Sequence, residues 1–170
     1  MTSSLRLDLV QRFHFLKSAE LLQSQPSTLT ALTPGGDRDT QRVKVSFFGG
    51  FNFGRLEDPQ ETPDGVLEIA SLQDLLAHKL KVLLQRVEMK DYLDIDALLN
   101  SGLDLACGLA GARALFPAFA PQECLKALTY FNDPPLEALS IELQERLLRA
   151  AESVQVIPQV AVKSKTLSKR

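Results

Sequence analysis

Tryptophan is missing from this sequence, and cysteine, histidine and surplus charge are all scarce. Each shortage excludes a class of protein. Two cysteines, Cys107 and Cys124, are too few for a disulfide framework. Both sit in apolar, helical company and lack the spacing of a metal site, so they are expected to be buried free thiols. The two histidines, His14 and His78, are far apart and have no partners at metal-ligand spacing. They are expected on the surface or on a helix flank. A formal net charge of −2 argues against a generic nucleic-acid coat. No apolar run approaches the roughly 20 residues that cross a bilayer, and no signal peptide is visible. The reading is a cytoplasmic chain with no membrane partner. Internal repeats and low-complexity blocks are also lacking. What remains is ample for a core, since 45% of the residues are hydrophobic and 24% charged. At 170 residues the chain is one ordinary domain, or one with a short appendage.

The chain is organised around Ser71-Leu-Gln-Asp-Leu-Leu-Ala-His-Lys-Leu-Lys-Val-Leu-Leu-Gln-Arg86, followed by Lys90-Asp-Tyr-Leu-Asp94. Ser71 with Asp74 three residues on reads as a capped helix start. On a helical wheel Leu72, Leu75, Leu76, Leu80 and Leu83 share a face. Lys79 falls in the middle of that face, and Arg86 lies further along it. A lysine under leucines costs desolvation unless an anion meets it. Val87-Glu88-Met89 is short enough to turn the chain into a second helix, about Lys90 to Asn100, burying Tyr92, Ile95, Leu98 and Leu99. Asp91 is placed on the shoulder of that face, with Asp94 at i+3. Two helices thus bring Lys79, Arg86, Asp91 and Asp94 to one partly buried polar seam. Two readings stand. The seam is a structural ion-pair joint, or it is a phosphate site where the cations hold phosphates and an aspartate orients the lysine or assists proton transfer.

Elsewhere the periodicity predicts an α+β fold: a small antiparallel or mixed sheet of about three strands, with a predominantly helical C-terminal half. Leu9, Val10, Phe13, Leu16 and Ala19 predict a helix from about Asp8 to Leu22. Thr28–Thr33 and Gln41–Phe48 alternate as antiparallel strands, joined by a turn at Pro34–Asp39. Val66–Ala70 reads as a short strand carrying Glu68, whose side chain is expected to face solvent, with a metal-binding role as the other reading. Leu103–Leu115 is helical despite Gly108 and Gly111, which would permit close packing. Gln122–Tyr130 and a helix capped by Ser140 follow. The last eight residues hold four basic ones and predict a disordered tail, with weak RNA contact as the lesser reading. The division expected is 1–100, an α+β part; 101–156, a helical part packed on it; and 157–170, an extended or disordered basic tail.

The run Ile69-Ala-Ser-Leu-Gln-Asp-Leu-Leu-Ala-His-Lys79, then Arg86, then Lys90-Asp-Tyr-Leu-Asp94 resembles a motif of the AbiEii/AbiGii abortive-infection nucleotidyltransferase family. These are the toxins of a class of bacterial toxin–antitoxin systems. Val43-Lys-Val-Ser-Phe-Phe48 looks like the family's central strand. Leu125-Lys-Ala-Leu-Thr-Tyr-Phe-Asn-Asp133 looks like a later segment, in which Asn132 and Asp133 would close a buried polar corner. The resemblance implies catalytic roles for Lys79 and Asp91, phosphate binding by Lys79, Arg86 and Lys90, and supporting roles for Asp94 and Glu68. It also implies Mg2+ and a nucleoside triphosphate, an RNA or protein acceptor, a cognate antitoxin, and a possible homodimer.

There is one departure from the family pattern. The family's Gly-Gly/Ser turn and Asp-x-Asp strand, whose carboxylates hold magnesium, do not appear in this sequence. Asp37 and Asp39 form such a pair but lie in a polar hairpin turn and are not assigned to it. No residue is assigned as a metal ligand. The expectation is a copy whose missing part is encoded upstream, or a remnant kept for another use. Nucleotide transfer would then be impaired. The alternative is a non-catalytic module that pairs with an antitoxin or self-associates through apolar surface.

Overall fold

A computed structural model describes residues 5–33, 41–49 and 53–167. The chain divides into two compact units, Met1–Phe51 and Asn52–Arg170.

The first unit contains helix α1 (Leu5–Arg12), a single 3-10 turn (His14–Lys17), and strands β1 (Glu20–Gln25), β2 (Thr28–Leu32) and β3 (Lys44–Phe48). The strands form an antiparallel sheet in the order β1-β2-β3. The helix expected through Leu22 therefore stops at Arg12. Phe13 is extended, and Glu20–Gln25 joins the sheet instead. Pro26 and Ser27 make a two-residue turn that sets Gln25 opposite Thr28, and ladder hydrogen bonds override a weak local helical preference. The apolar set still meets. Leu9, Val10, Phe13 and Ala19 pack against buried Leu16, Leu29 and Ala31. Along β3 the half-buried Val45 and Phe47 alternate with exposed Lys44, Ser46 and Phe48, as the pattern predicted. The turn at Pro34–Asp39, with Asp37 and Asp39, lies outside the described residues.

The second unit opens with a two-strand hairpin, β4 (Gln60–Glu61) and β5 (Glu68–Ile69), joined through Thr62–Leu67. Gly65 takes the left-handed conformation there, with φ of 67°. The strand expected over Val66–Ala70 is thus shorter, and it pairs with Gln60–Glu61 just before it in the chain. Helices α2 (Leu72–Leu83), α3 (Met89–Asn100), α4 (Leu105–Leu115), α5 (Pro121–Leu128) and α6 (Ile141–Glu152) follow, with a 3-10 turn at Pro134–Leu136. The molecule is α+β, with its C-terminal half mostly helical. Leu56, Leu76, Leu80, Ile95, Leu109, Leu128 and Leu147 lie in the core of this unit.

Helix α2 is the hub and touches α3, α4 and α5. Its approach to α4 depends on Gly108, while Gly111 makes room for the Leu56 side chain. A Cβ on Gly108 would stand 2.6 Å from Leu76 Cδ2, and one on Gly111 would stand 2.5 Å from Leu56 Cδ1. The basic tail is not loose over its described length. Arg55 donates its backbone N–H to the Ser164 carbonyl at 2.9 Å and a guanidinium N–H to the Thr166 carbonyl at 2.8 Å. Lys163 pairs with Asp58 at 2.6 Å.

Candidate functional site

Ser71 caps α2 by accepting the Asp74 N–H at 3.0 Å. Its hydroxyl donates back to the Asp74 carboxylate at 2.7 Å. Asp74 is buried and does more than a cap requires. It accepts the backbone N–H groups of Leu56 at 2.7 Å and Glu57 at 3.2 Å, which fixes the incoming loop against the helix. This fixed start sets the rotation of α2. Leu76, Ala77, Leu80 and Leu83 face the core, whereas Leu72 and Leu75 are exposed. Lys79 is therefore at the border of the apolar face and not at its middle. The incoming loop and α4 cover α2 from the Ala77 side, which turns Lys79 away from the centre of the buried face.

From that border the lysine amine reaches α3. Lys79 Nζ lies 3.0 Å from Asp91 Oδ1 and 2.5 Å from Asp94 Oδ2. Beyond the end of α2, Arg86 donates Nε to Asp91 Oδ2 at 3.0 Å and Nη2 to Asp91 Oδ1 at 3.3 Å. The Asp91 side chain is 0% exposed, against 51% for Asp94. Asp91 thus lies inside the unit, deeper than the shoulder position the wheel gave it. It also occupies the first turn of α3, where the helix dipole favours an anion.

Burial alone would push the Asp91 carboxyl up. The hydrogen bonds and charges of Arg86 and Lys79 outweigh this and hold it below the usual carboxylate range. Desolvation likewise works against the Lys79 ammonium, and Asp94 with Asp91 reverses it, raising its pKa. Both partners are ionised at neutral pH. Glu88 completes the cluster, 3.2 Å from Arg86 and 2.7 Å from Lys90.

The predicted residues therefore divide. Lys79, Arg86, Asp91 and Asp94 come together, and Lys90 joins only through Glu88. Glu68 is exposed on β5 and lines a different cleft of about 280 Å³ with Arg55, Glu57, Ser71, Asp74 and His78. His78 is half-buried between the rings of Phe53 and Phe116, and desolvation lowers its pKa. Asn132 is exposed and Asp133 half-buried, so Asn132 closes no buried corner. Of the two cysteines, Cys124 is buried and Cys107 only partly so.

Sequence reasoning missed Asp96. This nearly buried carboxylate on α3 takes both forks of Arg146 on α6, at 2.8 and 2.6 Å. Its position one turn after Tyr92 and three residues before Leu99, on the buried side of α3, was the available signal.

Beside Lys79 opens a groove of about 410 Å³, walled by Leu72, Leu75, Ala97 and Leu98, with Asp94 and Ser101 at its edge. The arrangement holds a charged amine at the rim of an apolar groove, oriented by a carboxylate that solvent does not reach. A divalent cation does not fit the cluster. Both oxygens of Asp91 are engaged by cations, and Asp94 is engaged by Lys79. Among the described residues no group of three or more Asp, Glu, His or Cys could hold a metal.

No curated protein and no solved structure matches the chain. One family model does, described as the nucleotidyl transferase AbiEii toxin of a type IV toxin–antitoxin system, and its match runs over residues 8–157. Those bounds reach across most of each compact unit and include every residue of the Lys79–Asp91 cluster. The chain belongs to the AbiEii nucleotidyl transferase toxin family.

Proposed function

We propose that the chain serves nucleotidyl transfer from a nucleoside triphosphate to an RNA or protein acceptor, and that Lys79 is the phosphate contact. The observation that carries this reading is the fully buried Asp91, which holds a partly exposed, charged Lys79 amine at the rim of an open groove. A lysine placed this way loses little further freedom when a ligand binds, because Asp91 has already ordered it. Arg86 lies on the far side of the same carboxylate and keeps it ionised when a phosphate draws on Lys79.

In the reaction the acceptor's hydroxyl oxygen attacks the α-phosphorus. The bond from that phosphorus to the bridging oxygen breaks, and pyrophosphate leaves. The hydroxyl proton goes to solvent. Asp91 is not its acceptor, because both of its oxygens are engaged and its carboxyl is held below the usual range. Asp91 is a positioning residue. The described residues supply phosphate binding and orientation and fit no divalent cation, so transfer by this chain is slow relative to binding.

Incubation with labelled nucleoside triphosphates, magnesium, and total RNA or protein tests this. The expected result is nucleotide retention that Lys79→Ala removes, with little incorporation. Vigorous incorporation that survives Lys79→Ala would overturn it.

The exposed side chains of Val66, Leu67, Ile69 and Leu72 support a second reading, in which the chain pairs with an antitoxin or with itself. Light scattering discriminates. A monodisperse monomer at high concentration counts against self-association.

A further inference from the structure

Lys79 is held by two carboxylates that differ in every physical respect. Asp91 is enclosed, grips Lys79 with one oxygen, and is shared with Arg86. Asp94 is half-exposed, sits one turn further along α3 and lines the groove itself. The surrounding charge is balanced. Lys79, Arg86 and Lys90 face Glu88, Asp91 and Asp94, so a polyanion approaching the cluster gains no net attraction as it stands. Two of the three N–H donors of the Lys79 ammonium go to these carboxylates, so a phosphate gains more than a single contact with the amine only when one carboxylate gives way. Moving Asp91 would break its two hydrogen bonds to Arg86 and pull a fully buried side chain out of the unit. Moving Asp94 needs only a rotamer change into water, and an exposed ion pair offers little resistance.

We propose that Asp94 is a displaceable counterion, an intramolecular competitor that occupies the anion position on Lys79 until a polyphosphate takes its place. The inference rests on the reading of Lys79 as a phosphate contact, and it assigns Asp94 a role opposed to binding. A carboxylate that helped orient the lysine for its ligand would strengthen binding. Asp94 weakens it, which keeps Lys79 from retaining single phosphates and other weak anions and favours ligands with enough charge to displace the carboxylate. Lys79 stays oriented after the exchange, because the Asp91 hydrogen bond is untouched.

Two measurements on the full chain test this, and they separate the failure of this idea from the failure of the phosphate reading. The first is calorimetric titration with inorganic tripolyphosphate at low salt, for wild type, Asp94→Asn, Lys79→Ala and the double variant. Asp94→Asn is expected to bind about tenfold more tightly than wild type. The gain should shrink as salt rises and vanish in the Lys79→Ala background. Unchanged or weaker binding by Asp94→Asn, or a gain that persists without Lys79, would overturn the proposal. The second is acylation of Lys79 by a small water-soluble reagent, followed by peptide mass spectrometry, with no phosphate present. Asp94→Asn should raise the Lys79 rate severalfold over wild type. An unchanged rate would show that Asp94 does not cover the amine. A raised rate without tripolyphosphate binding in any variant leaves the counterion role standing and removes the phosphate reading.

Discussion

Asp91→Asn is the substitution on which most of the structure bears. The side chain keeps its shape and one carbonyl oxygen, but the charge that two cations share inside the unit is gone. Removing one partner of a buried pair costs about 3–5 kcal/mol when the other is stranded. Here the loss is tempered, because Lys79 keeps Asp94 and Arg86 keeps Glu88. A destabilisation of about 2 kcal/mol is expected, seen as a fall of roughly 4–8 °C in melting temperature.

Its pH dependence is more diagnostic than its size. The folded-state pKa of Asp91 lies below its unfolded value, so its contribution is present above the unfolded pKa and lost as pH falls through the folded one. Urea unfolding of wild type and Asp91→Asn at a series of pH values should give a constant gap from neutrality to about pH 5, closing below about pH 4. A gap under about 0.5 kcal/mol at neutral pH, or one that keeps its size into acid, would refute the claim that a buried, ionised Asp91 holds α2 and α3 together.

Gly108→Ala should cost about 1–3 kcal/mol by overpacking, because the added methyl meets Leu76 at 2.6 Å; thermal melts check it. Asp96→Ala should lower the urea midpoint clearly more than Asp58→Ala, since Asp96 is nearly buried under its Arg146 fork whereas Asp58 is half-exposed. Burial pushes the Cys124 thiol up to about 12, so iodoacetamide should label Cys107 first and reach Cys124 only on unfolding, as mass spectrometry of timed samples would reveal.

The legible part of the fold was what local chemistry controls. Ser71 and Ser140 each cap the helix that follows, and each accepts the N–H three residues on. The strand at Lys44 alternates between exposed and half-buried residues, whereas the one at Thr28, paired on both edges, buries Leu29, Thr30 and Ala31 in a row. What sequence reasoning lost was set by partners distant along the chain. Nothing in Glu20–Gln25 alone states that β2 will take up its backbone groups. The rotation of α2 that exposes Leu72 and Leu75 is imposed by Asp74 gripping the Leu56–Glu57 backbone and by the glycines of α4. The site survived these errors because it depends on a spacing. Lys79, Arg86 and Asp91 converge whenever two helices turn back at Leu84–Glu88, whichever way α2 is rotated by a fraction of a turn. Asp96 escaped because an aspartate among apolar neighbours reads as solvent-facing until its arginine, fifty residues on, is in view.

The central claim is that the Lys79 amine, oriented by Asp91, receives the phosphates of a nucleotide. Equilibrium binding of labelled ATP to wild type and Lys79→Gln, with both folds verified by circular dichroism, tests it most directly. Binding should be saturable, and Lys79→Gln should weaken it by about tenfold or more. Equal binding by the two folded proteins would contradict it.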